Sequence, residues 1–302
     1  MADWGLDRAV RLAAINFVHD LIRTSGDDLS YRDLSAGFSF RGRQIHLLGP
    51  QGIFKPSILD VPLTISTAPR TPGKPPPYDD VWNRDGSLEY RYRGTDPRHP
   101  DNAGLVVAMQ RRLPLVYLHG VTRGHYVAAC PAYVIAADPA RLTFKVAVDS
   151  GLVESVASAD DVAARRKYTA RLVRQRLHQA DFRLRVLAAY RRQCAMCRLR
   201  HAELLDAAHI VGDTEPLGEP AVSNGLALCK LHHAAFDSQI VGVRPDLVIE
   251  VRSDVLRERD GPMLRHGLQG LAGQRIWIPT KTEEQPSRPL LEQRFELFKK
   301  AG

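Results

Sequence analysis

Cysteine is scarce. Four in 302 residues are too few for a secreted disulfide scaffold of this size. Long apolar runs are missing as well: no stretch approaches the roughly 20 uninterrupted apolar residues of a membrane span, so no membrane partner is expected. The opening segment, MADWGLDRAVRLAAINFVHDLI, interrupts its apolar pattern with Asp3, Asp7 and Asp20. That suits an amphipathic helix and not a signal peptide, and the expected location is the cytoplasm. Internal repeats are absent. Acidic residues are in deficit, 34 against 42 Lys and Arg, which leaves a formal charge of +8.

What is present is a soluble globular composition, 44% hydrophobic and 25% charged, on a chain long enough for one large or two modest domains. The charge is uneven. From Asp160 to Arg200 twelve cationic side chains face three aspartates, +9 in one segment. Two readings compete there: a solvated helix face, or a surface that neutralises nucleic-acid phosphates.

Residues 1–27 read as a helix, with Val10, Ala13, Ala14, Phe17, Val18 and Leu21 at helical spacing. From about 30 to 150 short apolar runs such as QIHLL, LDVPLTIST, LEYRYRG, PLVYLHG and LTFKVAV are broken by Pro and Gly. They predict a mostly β domain. DNAGLVVAMQRRL predicts a short helix capped by Asp101 or Asn102, and 66–86 an exposed Pro-rich loop. Cys130, in YVAACPAYVI, reads as a buried strand residue. Residues 157–194 form a long helical region with a candidate break near His178. LLDAAHIV and LVIEVRS then read as strands, CKLHHAAFD as a helix start, QRIWIPT as extended, and LLEQRFELFKK as a closing amphipathic helix.

The chemistry concentrates after residue 190. Cys194-Ala-Met-Cys197 and Cys229-Lys-Leu-His232 are two ligand pairs of equal spacing. Each pair can converge on one ion through a tight turn, and three thiolates with one imidazole suit structural zinc. Reduced thiols packed in a core are the competing reading, which the doubled spacing disfavours. His233 and Asp237, at i and i+4, share a helix face. A nitrogen and an oxygen donor there suit one divalent ion, with Mg²⁺ or Mn²⁺ acceptable.

With AAHIV, SNGLAL and HHAAFD in view, the region from about 178 to 260 resembles the HNH nucleases, whose ββα-metal fold wraps two strands and a helix around one catalytic ion. In CKLHH, His232 stands where many family members have the second Cys of a Cys-x-x-Cys-His motif. The resemblance implies one-metal hydrolysis of phosphodiester bonds, leaving 5′-phosphate and 3′-hydroxyl ends. It makes His209 the general base, Asn224 the group that bonds the imidazole or its backbone, and His233 and Asp237 the ligands of the catalytic ion. Cys194, Cys197, Cys229 and His232 remain structural. The chain departs from the family at Ala208, where a further metal ligand, Asp or His, is usual. Asp206 is a candidate substitute, directly or through water.

GIFKP, LDVPLTIST, YDDVW and YRYRGTDPRHPDN resemble the N-terminal regions of bacterial HNH proteins, whose β-rich domain is similar to SRA and PUA-like readers of modified bases. Such a reader needs aromatic faces and polar groups for a flipped base. Tyr78, Trp82, Tyr90 and Tyr92, with Asp79, Asp80 and Asp96, are material for it, and Arg70, Lys74, Arg91 and Arg93 for phosphates. The alternatives are a tyrosine pair packing a sheet face and, for GTDPRHPDN, a turn followed by a helix cap.

The expected fold class is therefore α+β. A β-rich SRA/PUA-like domain occupies 1–155, a basic helical connector 156–190, and a zinc-stabilised ββα-metal HNH domain 191–302. The expected function is a Mg²⁺- or Mn²⁺-dependent endonuclease on double-stranded DNA, restricting foreign DNA that carries modified bases. A double-strand cut from one site per chain makes a homodimer the expected assembly. The competing functions are a sequence-specific or nicking nuclease on unmodified DNA, a nucleotide-signal-activated defence nuclease, and a non-catalytic zinc-stabilised DNA-binding protein.

Overall fold

A computed structural model describes residues 3–69, 81–83, 87–148, 175–213, 215–259 and 261–301. The chain forms two compact units, Met1–Ala180 and Asp181–Gly302. No helix among the described residues is long and apolar enough to cross a membrane.

In the first unit, helix α1 (Trp4–Ser25) starts where the Asp3 carboxylate accepts from the amides of Gly5 and Leu6, and it stops at Gly26, whose φ of 75° a side chain would resist. Its inner face, Val10, Ala14 and Val18, is buried. So is Arg11, which Asp7 and the Pro62 and Pro114 carbonyls satisfy. The helical pattern of the sequence hid this buried ion pair among apolar neighbours.

The main sheet has eight strands. They are β1 (Leu29–Ser30), β4 (Ile53–Phe54), β5 (Thr64–Thr67), β6 (Val81–Trp82), β7 (Leu88–Arg91), β8 (Leu115–Thr122), β9 (His125–Asp138) and β10 (Thr143–Val148). Their order is β4-β5-β8-β9-β10-β7-β6, with β1 added on β9. Only the β5–β8 pair among these runs parallel. A small helix α2 (Tyr31–Ala36) and a hairpin of β2 (Phe38–Phe40) and β3 (Arg43–Ile45) precede the sheet. Cys130 in β9 is half-buried, less enclosed than its apolar run suggested.

Helix α3 (Pro100–Gln110) lies where expected, but its cap is His99, whose Nδ1 accepts from the Asp101 amide. Asn102 is fully buried instead. It donates to the Arg93 and Asp96 carbonyls and accepts from the Arg93 amide. The expected exposed loop over 66–86 also contains part of β5 and all of β6, which pairs with β7. Most of its remainder, and residues 156–174 of the basic connector, lie outside the described residues.

Helix α4 is described over 175–189 with no break at His178, and from Asp181 on it belongs to the second unit. Strands β11 (Leu205–His209) and β12 (Gly225–Cys229) pair antiparallel, and α5 (Lys230–Asp237) follows at once. A second hairpin, β13 (Val241–Val243) with β14 (Ile249–Val251), comes next, followed by α6 (Ser253–Arg257), α7 (Pro262–Gly267) and α8 (Arg288–Ala301). Phe182, Val186 and Leu187 of α4 share one apolar core with Leu226, Leu228, Phe236 and Leu291. QRIWIPT forms only an isolated antiparallel bridge, Arg275 with Val248, beside β14. It is pinned by the Ile276 amide to the Leu247 carbonyl and by the Trp277 amide to the Ala195 carbonyl.

Candidate active site and metal centre

The two cysteine pairs meet. One ligand atom from each of Cys194, Cys197, Cys229 and His232 lies within 4.8 Å of the others. His232 Nδ1 is 3.4 Å from Cys194 Sγ and 3.2 Å from Cys229 Sγ, and the Cys197 and Cys229 sulfurs are 4.0 Å apart. Tetrahedral zinc with bonds of about 2.1 Å to N and 2.3 Å to S spaces its ligands by about 3.6–3.8 Å, so the four residues fit that ion. His232 Nε2, meanwhile, donates to the Gly267 carbonyl at 2.7 Å, which fixes the tautomer and leaves Nδ1 for a metal. Burial opposes the His232 cation, but in the metal-free cluster the bonds to Cys194 and Cys229 outweigh it and push its pKa up to about 10; a bound metal would take the Nδ1 position of that proton.

The first turn of α5 points His232 inward, and His233, about 100° further around the helix, faces elsewhere. His233 Nε2 is 3.2 Å from Asp237 Oδ2, so one nitrogen and one oxygen donor converge as the i, i+4 spacing required. These two fit a divalent ion as a partial ligand set. Arg294 of α8 lies over the Phe236 ring at 4.7 Å, donates to the Phe236 carbonyl, and approaches Asp237 Oδ1 at 3.6 Å. Nothing in the spacing of the sequence pointed to Arg294.

His209 ends β11. Its ring stacks on Phe182 of α4, with centroids 3.9 Å apart and planes 12° from parallel. Burial lowers its proton affinity below the ordinary histidine value. Asp213 and Asp237 pull the other way, His233 adds to the lowering, and the lowering prevails. The neutral ring, the form able to accept a proton, is thereby favoured near neutral pH. Opposite His209 in the ladder stands Gly225. A Cβ there would meet Val186 Cγ2 at 2.4 Å and Phe182 at 3.0 Å, so the missing side chain is what lets α4 close down on the strand pair.

Asn224 is buried, but it does not bond the imidazole. Its Oδ1 accepts from the Val211 amide, and its Nδ2 donates to the Val211 and Glu219 carbonyls. Its own carbonyl accepts from the Ile210 amide. It therefore locks the chain just beyond His209, a positioning role through the backbone.

Asp206 requires a correction. Its Oδ1 takes Arg183 Nε at 3.2 Å and the Ala207 amide at 3.0 Å, and its Oδ2 takes Lys230 Nζ at 2.9 Å. Burial alone would raise its pKa, but these cationic and amide partners outweigh it and hold the carboxyl below the usual range. It also lies 3.8 Å from His233 Nδ1, the ring nitrogen opposite to the one facing Asp237. In this geometry it cannot share an ion with that pair; it sits behind His233 as a charged brace. Ala208, which replaces the usual ligand, is buried.

In the first unit, Tyr90, Tyr92 and Arg93 line a cavity of about 420 Å³ together with Gln51, Thr67 and Tyr126. Tyr90 donates to the Ser66 carbonyl and Tyr92 stacks on Phe144 at 4.1 Å, so both tyrosines also pack the sheet. Arg93 is tied to Gln51 Oε1 and to Asp101. Asp96 is not at the cavity: its carboxylate accepts from the Arg98 amide in the turn leading to α3. That is the turn-and-cap alternative. Tyr78, Asp79 and the side chain of Trp82 lie outside what is described.

Residues 194–244 match the family HNH_2, described as HNH endonuclease. The match covers the Cys₃His cluster, β11, β12 and α5, so the second unit carries an HNH endonuclease domain, which supports a nuclease enzyme. A solved structure, "Modification dependent TagI restriction endonuclease", is similar at 16% identity over 79% of this chain and 82% of that one, with a TM-score of 0.30. No curated protein matches.

Proposed function

We propose that this chain is a divalent-metal-dependent DNA endonuclease that restricts foreign DNA by recognising modified bases. The observation that carries the nuclease reading is the ββα arrangement of β11, β12 and α5. It holds a half-buried, neutral-leaning His209 within electrostatic reach of the His233–Asp237 pair. The cavity of the first unit supports the modification reading. At about 420 Å³ it lies within the size range of small-molecule pockets, and its tyrosines and polar groups suit a flat, hydrogen-bonding ring.

In this proposal His209 takes a proton from the attacking water through its ring nitrogen. Phe182 holds the ring plane, and Asn224 holds the chain on which the ring is carried. His233 Nε2 and Asp237 would hold Mg²⁺ or Mn²⁺. When bound, that ion supplies Lewis-acid polarisation of the scissile phosphate and stabilises the leaving oxygen. Asp206, kept ionised by Lys230 and Arg183, faces His233 Nδ1 and so favours the tautomer that leaves Nε2 free for the ion. The water oxygen bonds to phosphorus as the bond from phosphorus to the 3′ oxygen breaks, so the phosphate stays on the 5′ end, and the departing 3′ oxygen takes a proton from solvent while His209 later releases its own. Zinc in the cysteine cluster is structural.

The test is cleavage of modified phage DNA against an unmodified amplicon of the same sequence, with Mg²⁺ or Mn²⁺. Preferential cutting of the modified substrate is the expected result. Equal cutting of both rejects modification dependence and leaves a conventional nuclease. No cutting of either, with zinc bound, leaves the non-catalytic reading.

A further inference from the structure

Resting on the nuclease reading, we infer that the zinc knuckle is itself the docking surface for the DNA backbone, with Arg198 and Arg200 as its phosphate contacts. The segment RRQCAMCRLR carries Arg191, Arg192, Arg198 and Arg200 and no acidic residue. Arg191, Arg198 and Arg200 are exposed. No carboxylate among the described residues pairs with Arg198 or Arg200. The one polar tie there is Arg200 Nε to Gln193 Oε1 at 3.2 Å. Elsewhere in this unit the arginines near the active site are committed: Arg183 to Asp206, Arg185 to Asp181, and Arg294 to Asp237 and the Phe236 carbonyl. A zinc ion on three thiolates and an imidazole would itself carry one negative charge, which offsets only one of the two charges on Arg198 and Arg200.

The knuckle is also a rigid platform. The Ala195 amide bonds the Ala227 carbonyl of β12, and the Trp277 amide bonds the Ala195 carbonyl, both at 2.7 Å. Arg191 lies over Trp277 at 5.8 Å and donates to Thr280 Oγ1. Arg191, Arg192 and Arg198 all have φ between 51° and 63°, a conformation uncommon for non-glycine residues. The turns that present the guanidinium groups are therefore held by the surrounding structure. His232 joins this platform to α5, and the next residue along is His233. A phosphate gripped by Arg198 or Arg200 would consequently be held at a fixed offset from the hydrolytic centre. Exposed guanidinium groups on a rigid frame are suited to phosphate oxygens.

The experiment uses the full chain carrying His209→Ala, so that the DNA survives. A short labelled duplex is titrated by fluorescence anisotropy across a range of KCl. Loss of two phosphate contacts by Arg198→Gln with Arg200→Gln should reduce the slope of log K against log salt by about 1.8, at about 0.9 per phosphate. Arg198→Lys with Arg200→Lys, which keeps the charge, should retain the slope. Lys299→Gln with Lys300→Gln, the same charge change on α8, should also leave it unchanged. One zinc per chain in every variant shows that the knuckle is intact. An unchanged slope in the double glutamine variant, an equal fall in the α8 control, or preference for a single-stranded RNA over the duplex would overturn the inference. Cleavage by the wild-type chain is scored separately. A protein that binds with this slope yet cuts nothing retains the docking surface and loses the nuclease mechanism.

Discussion

His209 is kept from taking up a proton by what surrounds it. Its ring lies against Phe182, and burial and His233 keep it from protonating as readily as a free imidazole. The acid limb of the cleavage rate should therefore fall below the ordinary histidine value of about 6.5. The sign follows from the role. A base works unprotonated, so a lowered pKa extends activity toward acid, and a bound cation would push it the same way. A pH–rate profile that loses activity well above that value would contradict the assignment. His209→Ala should cost about 10²–10⁴ in rate, with zinc content unchanged by metal analysis. That His209 ends a strand and that His233 and Asp237 share a helix face was legible in AAHIV and HHAAFD; the roles proposed for them came from the resemblance to HNH nucleases. Asp206 was misread because strand alternation says nothing about which cations will reach a carboxylate from other elements. Lys230 and Arg183 come from α5 and α4.

At the scale of elements, β11, β12 and α4 depend on one missing side chain. Gly225→Ala would drive a methyl group into Val186 and Phe182, an overpacking that costs about 1–3 kcal/mol. Because Phe182 carries the His209 ring, cleavage should fall along with the melting temperature, by up to about a hundredfold if the ring moves by an ångström. A variant that melts lower but cuts at the wild-type rate would show that the stack is not needed for catalysis. The Asn of SNGLAL was expected, from the resemblance, to bond the imidazole or its backbone. That it bonds the Val211 and Glu219 backbone, and not the imidazole, was not readable, because those partners are set by how the loop after β11 folds back. In the same way the cap of α3 passed from Asp101 or Asn102 to His99, since Asn102 is drawn inward by the carbonyls of Arg93 and Asp96.

For the whole molecule, two units with separate cores should respond differently to metal removal. Cys194, Cys197, Cys229 and His232 join the knuckle to the start of α5, so chelating zinc should unfold the second unit while the first retains its own thermal transition. Calorimetry with and without a chelator checks this, and Mg²⁺ alone should not restore cleavage. Loss of both transitions together would contradict it. Composition and local period sufficed for a mixed α+β chain, for the helices at either end and for the two pairs, Cys194 with Cys197 and Cys229 with His232, that converge on one point. Each of these rests on residues close in sequence, where backbone geometry fixes which side chains share a face or a turn. Contacts between segments far apart in the chain were decided only by tertiary packing. Arg294 reaches Asp237 from 57 positions away, Gly267 orients His232, and the cavity lined by Gln51 and Tyr90 closes across strands whose pairing no local pattern specifies.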